Sequence, residues 1–191
     1  MKYFISLTCF LFIAAIIEKS FPEKLSDAAI MLTKDKVVYD PGYFSISYPN
    51  GDVPKGKGVC TDVVIRAYRK LGIDLPKEVH EDMKKNFSKY PQKWGLKKTD
   101  PNIDHRRVPN LQVFFTRFGK SLEVTDKASD YKTGDLVTWM INDKMPHIGI
   151  VTNRKSADGK RNLIVHNVGA GQVLEDCLFQ YKITGHYQFK K

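Results

Sequence analysis

A chain of 191 residues, 42% hydrophobic and 27% charged, can bury one core, so a disordered tail is excluded and one domain is expected. Three cysteines are too few for a disulfide-stapled miniprotein, and no C-x-x-C pair offers a zinc ribbon or a thioredoxin-type redox site. The net charge of +10 points to an anionic partner, but there is no P-loop, no G-x-G-x-x-G and no aromatic-and-basic RNA motif, so nucleotide chemistry and nucleic acid are set aside.

Residues 1–20 read as an export signal or an N-terminal anchor. Lys2 precedes an apolar run from Tyr3 to Ile17, shorter than the roughly 20 residues a membrane-spanning helix needs. Ala14 and Ala15 are the only good small residues for cleavage, so a membrane tether through this segment stays open. Cys9 follows Thr8 and comes too early for a lipoprotein cysteine. The basic excess falls in residues 54–107. Outside the cytoplasm the matching partners are anionic envelope polymers, with a merely solvated basic surface as the plain alternative.

The rest, 21–191, is expected as a single domain, helices first and strands later. Leu25, Ala28, Ala29 and Leu32 have helical spacing. Phe44, Ile46 and Tyr48 alternate with serines and predict a short strand. An amphipathic helix runs from Cys60 through Val64, Ala67, Tyr68 and Leu71 and stops at Gly72. Val79, Met83, Phe87 and Tyr90 predict another, and Leu111, Phe114, Phe115 and Phe118 a third, closed by Gly119. Beyond Gly134 the period becomes that of strands over 135–141, 147–152, 162–168 and 183–189, with an Asp158-Gly159 hairpin turn between the second and third. The pattern is α+β, with N-terminal helices packed on a C-terminal antiparallel meander.

Cys60 stands where a glycine loop turns into a helix. Backbone N–H groups and the helix dipole there favour a thiolate, so a lowered thiol pKa is expected, and the same groups can serve an oxyanion. The bland reading of Cys60 is a small buried hydrophobe. His147 opens one strand and His166 lies within the next, and a hairpin would project both rings from one face. His147 is then the base for Cys60, and His166 the group that holds its tautomer. Either histidine alone reads as a satisfied, half-buried residue. Gly149, on the face of His147, is expected to let the Cys60 helix approach the sheet. The five histidines have no H-E-x-x-H or other regular metal spacing, so neither metal nor cofactor is expected.

These residues carry a family resemblance. Gly58-Val59-Cys60-Thr61-Asp62 with the helix behind it, Gly134-Asp135-Leu136, Pro146-His147-Ile148-Gly149-Ile150 and Leu163-Ile164-Val165-His166 resemble the motifs of NlpC-type cysteine peptidases, papain-like bacterial cell-wall hydrolases. More narrowly, Asn102-Ile103-Asp104-His105-Arg106-Arg107-Val108-Pro109, His166-Asn167-Val168-Gly169 and Thr184-Gly185-His186-Tyr187 resemble the bacterial domain-of-unknown-function family 1287. The resemblance implies a papain-like (NlpC-type) fold and a catalytic Cys60, His147 and His166. The usual Asp-Cys-Ser-Gly of the superfamily is Val59-Cys60-Thr61-Asp62 here, which alters the pocket beside the nucleophile. Residues 77–110 have no place in the superfamily motifs and read as a family-specific insertion. Its Arg106 and Arg107 suit a substrate carboxylate or phosphate, or else an internal salt bridge with Asp100 or Asp104. Asp62, His105, Arg106, Arg107 and Asn167 are the expected substrate contacts.

The expected activity is that of an exported Cys-His-His amidohydrolase, a monomer acting on peptidoglycan stem peptides through a thioacyl-enzyme. An acyltransferase or thioesterase with the same triad, or a non-catalytic module binding an anionic wall polymer, are the alternatives. Cys177 lies outside the motifs, and no bond to Cys60 is expected.

Overall fold

In a computed structural model, residues 18–191 are described. Most of the expected export segment lies outside the described residues. No helix among them is long and apolar enough to cross a membrane.

Helix α1 (Phe21–Leu32) starts where the Glu23 carboxylate accepts the Ser20 N–H at 2.8 Å, and Pro22 occupies the first turn. Two short strands, β1 (Val38–Tyr39) and β2 (Lys57–Gly58), pair in parallel. They lead into α2 (Cys60–Arg69), α3 (Leu75–Lys85) and α4 (Val108–Phe118). The remaining strands are β3 (Lys120–Leu122), β4 (Leu136–Ile141), β5 (Met145–Lys155), β6 (Asn162–His166), β7 (Val173–Glu175) and β8 (Lys182–Gln188). They form one antiparallel sheet in the order β3-β8-β4-β5-β6-β7. The expected plain meander is thus corrected. Strands β4 to β7 do run as one, but β8 returns to the far side of β4 and carries β3 beyond it.

Each sheet face has its own core. Leu25, Ala29, Val64, Tyr68 and Phe115 from the helices pack on Leu136, Ile148, Ile150 and Val165. Tyr131, Val137, Trp139, Val151, Ile164 and Leu178 fill the other face. The alternation of Ile150 and Val151, and of Val165 and Ile164, sends neighbours to opposite cores, as a pleated strand requires. Gly119 lets α4 end against β8, since a Cβ there would stand 2.4 Å from the Gln188 carbonyl oxygen.

The strand expected over Phe44–Tyr48 does not form. Its alternation has no neighbour to pair with, and Ile46 instead gives its N–H to the Asn102 side chain at 2.9 Å. The 77–110 segment is fastened to the fold rather than appended to it. Val79 joins the helical core, and Asp82 on α3 accepts from Tyr90 at 2.7 Å and from Arg117 on α4 at 2.7 Å.

Candidate active site

Cys60 is the first residue of α2. Val59 before it is extended, and the Asp62 carboxylate accepts the Val59 N–H at 2.7 Å, which satisfies a donor the helix leaves orphaned. The thiol is 5% exposed and borders a cleft of about 210 Å³ shared with Tyr39, Trp94, Arg107 and Pro146. The thiol is drawn toward ionisation by the backbone N–H groups of Ile148, Thr61 and Cys60 itself. They do not prevail: burial, with the nearby Asp62 charge, pushes the Cys60 thiol up to about 12. The lowered pKa expected from the helix start is therefore corrected. Desolvation outweighs the dipole, and the resting thiol is neutral.

His147 and His166 do meet. Nε2 of His147 and Nδ1 of His166 lie 2.9 Å apart, with the ring planes at 81°. Burial, then His166, lowers the pKa of His147 to about 3, so its ring is neutral at pH 7. No hydrogen bond joins the thiol to either ring among the described residues. Cys60 instead lies against the Ile148 N–H, the peptide next to His147. Gly149 serves another purpose than expected. A Cβ there would meet Ile164 at 2.6 Å and His166 at 3.2 Å, so the bare glycine makes room for the β6 side chains, not for the Cys60 helix.

Sequence reasoning missed Glu175. Its Oε2 lies 3.1 Å from Nε2 of His166, at the end of a line His147–His166–Glu175. Cys177 Sγ is 3.4 Å from the same nitrogen, and among the described residues Cys60 and Cys177 are not bonded to each other or to another cysteine. Strand β7 is only three residues long and carries no periodic signal strong enough to have placed Glu175, and Cys177 lies in the loop just beyond it. Tyr39 and Trp94 in the cleft were missed as well.

Of the five expected substrate contacts, Asp62, Arg106 and Asn167 are hydrogen-bonded within the fold and His105 is buried. Arg106 holds Asp62 through Nε at 3.2 Å and Nη2 at 3.1 Å, and binds the carbonyls of Gly42 at 2.6 Å and Asp40 at 2.9 Å. Both charges are paired within the fold, although Arg106 also borders the cleft. The internal ion pair is real, but its acid is Asp62 rather than Asp100 or Asp104. His105 is buried away from the cleft, and burial with the charges of Arg106 and Arg69 lowers its pKa to about 3. Asn167 gives its amide to the Gly58 carbonyl at 3.2 Å and accepts the Gly169 N–H at 3.1 Å, which ties the end of β6 to the loop before Cys60. Arg106 and Arg107 both border the cleft, but only Arg107 is left unpaired there: its guanidinium lies 4.3 Å over the Trp94 ring, and its buried Nη1 has no partner among the described residues. Asp135 and His186 from the other motifs pair at 2.6 Å as a buried scaffold contact.

The neutral buried histidines predict how stability depends on pH. Below the unfolded histidine pKa of about 6.5, the unfolded chain takes up protons that folded His105 and His147 refuse until about 3. Each therefore withdraws stability as pH falls through that window, by up to about 1.4 kcal/mol per pH unit. Asp62 and Asp104, raised by burial, act in the opposite sense. The test is a difference. Urea unfolding between about pH 7 and about pH 5 should show a smaller loss in His105→Gln than in wild type. Equal losses would mean that His105 titrates normally.

Fold and site together define an α+β protein with a buried cysteine at a helix N-terminus beside a histidine pair on two sheet strands. The family model described as a domain of unknown function, DUF1287, matches residues 26–189, and the chain belongs to that family. It is 48% identical over 165 residues to the uncharacterized protein YijF of Escherichia coli (strain K12), covering 86% of this chain and 80% of that one. Among solved structures it is similar to NlpC1 from Trichomonas vaginalis, with a TM-score of 0.49 and 12% identity. That alignment takes in 92% of this chain but only 47% of the other, so the chain spans about half its length.

Proposed function

We propose that this protein is an exported cysteine hydrolase of the papain-like, NlpC type that cleaves an amide bond in peptidoglycan stem peptides. The observation that carries the reading is the hydrogen-bonded His147–His166 pair beside Cys60, with the thiol at the edge of a cleft. A neutral thiol and a neutral imidazole suit general-base catalysis. His147 takes the Cys60 proton as sulfur attacks the amide carbon. The C–N bond breaks, and the same proton passes to the leaving amine. Water then adds to the thioester, giving its proton to His147; the C–S bond breaks and the thiol is restored. The N–H groups of the first turn of α2, already directed at sulfur, supply donors for the oxyanion.

The cleft is smaller than the roughly 300–1,000 Å³ of drug-sized sites, which fits a short peptide segment. Arg107, unpaired and braced by Trp94, supplies a contact for a carboxylate on that segment. Export rests on the apolar run from Tyr3 to Ile17 and brings the enzyme to the wall.

The test is digestion of purified peptidoglycan, with released peptides and their new amino termini identified by mass spectrometry. Wild type should release fragments, and Arg107→Gln should raise KM about tenfold for a carboxylate-bearing peptide. If wild type frees nothing and no acyl adduct forms on Cys60, the hydrolase reading fails.

A further inference from the structure

The line of three hydrogen-bonding groups behind the cleft contains a protonation logic that the two histidines alone leave undetermined. A neutral imidazole carries one N–H and one lone pair, and either nitrogen can hold the proton. The contact of His147 Nε2 with His166 Nδ1, at 2.9 Å, works in two ways: either ring can be the donor. Only one of these leaves His147 Nδ1 with a lone pair.

Glu175 breaks the tie. An ionised carboxylate only accepts, and its Oε2 stands 3.1 Å from His166 Nε2. A lone pair on that nitrogen would face a negative oxygen, so Nε2 of His166 carries the proton. Nδ1 of His166 then has the lone pair and accepts from Nε2–H of His147. Nδ1 of His147 is left unprotonated. Cys177 does not disturb the order. It lies farther from His166 Nε2, at 3.4 Å, and sulfur is a weak partner on either side of a hydrogen bond. The His166 ring is fully buried, so water does not compete for it, whereas the Glu175 side chain is 44% exposed and in contact with solvent.

We infer that Glu175 is a positioning residue that acts through His166 to hold both histidines as Nε2–H tautomers, keeping Nδ1 of His147 available to take the proton of Cys60. The last clause rests on the hydrolase reading; the tautomer assignment does not.

The experiment is imidazole ¹⁵N NMR on the full chain at neutral pH, in wild type, Glu175→Lys and Glu175→Ala, with turnover measured on whatever peptide the wild type cleaves. Lysine offers only donors. It should turn His166 into an acceptor at Nε2, make its Nδ1–H donate to His147, and leave His147 protonated at Nδ1. The expected result is Nε2–H on both rings in wild type and Nδ1–H on both in Glu175→Lys. The expected cost is a loss in kcat of at least about a hundredfold with KM little changed. Glu175→Ala removes the bias without reversing it, so both tautomers should appear, and it decides the matter if the lysine variant does not fold.

Nδ1–H on His147 in wild type, or tautomers that stay the same in the alanine variant, would overturn the inference. The NMR readout needs no substrate. A tautomer switch in a protein that cleaves nothing would keep Glu175 in this role and remove the hydrolase reading. Cleavage with unmoved tautomers would do the reverse.

Discussion

On the proposed hydrolase mechanism, Cys60→Ala and His147→Ala should each lower peptide cleavage by at least about a thousandfold while leaving the unfolding transition in place. The size follows from the resting protonation state. A thiol pushed up to about 12 is almost wholly S–H at neutral pH, so very little nucleophile exists without a base. His147, with its pKa lowered to about 3, is nearly all in the accepting form. Neither group is reactive alone, and the two should fail as a unit: the double variant should be hardly worse than either single one. The same state predicts that iodoacetamide labels Cys60 slowly at neutral pH, without the acid plateau of a preformed thiolate–imidazolium pair. Cys177, also raised to about 12, provides an internal comparison. A Cys60→Ala protein that still cleaves its peptide would remove sulfur from the mechanism altogether.

What the chain discloses before folding divides along the range of the interactions. The placement of Cys60 at a helix start and of His147 and His166 on neighbouring strands is legible because each is marked locally, by a helix start or by a strand with period-two alternation. The cores are legible for the same reason: Val64 and Tyr68, or Ile148 and Ile150, repeat at the period of their own element. Phe44, Ile46 and Tyr48 have that alternation too, yet form no strand, because pairing needs a neighbour that the pattern does not specify. Glu175 is hidden because its role depends on β7 lying beside β6, with Glu175 opposite Ile164 and Val173 opposite His166. Three residues after a glycine-rich loop announce no such register. Asp62 and Arg106 look like free charges beside a nucleophile, and their residue types do suit substrate binding. Whether a charge is free depends on what lies across the fold, and these two meet over 44 positions of chain. Helix dipole and burial at Cys60 show a similar limit. The dipole is visible in sequence, while the desolvation that overrides it is a property of the packed state.

Arg106→Ala should destabilise the protein by about 3–5 kcal/mol, more than any cleft substitution. Its guanidinium is 2% exposed and the Asp62 carboxylate 3%, so removal of the cation leaves a buried anion with no hydrogen-bonded counter-charge and only the Coulombic pull of Arg66. It also strips donors from the carbonyls of Asp40 and Gly42. Arg106→Lys should recover little, because one ammonium cannot reach two carbonyls and a carboxylate held by a planar fork. An ordinary domain has about 5–15 kcal/mol to lose, so the alanine variant should sit near its folding threshold at body temperature. The decisive comparison is with Asp62→Asn combined with Arg106→Met, in urea unfolding. The double variant removes both charges and keeps a side-chain acceptor for the Val59 N–H, so it should be more stable than Arg106→Ala alone. A loss below about 1 kcal/mol in Arg106→Ala would mean the pair is solvated and worth no more than a surface bridge. Arg106 would then return to the list of charges available to substrate. A large loss recovered in the double variant would instead place the pair in the foundation of the turn that carries Cys60, because the carboxylate that Arg106 holds is the one that caps the helix there.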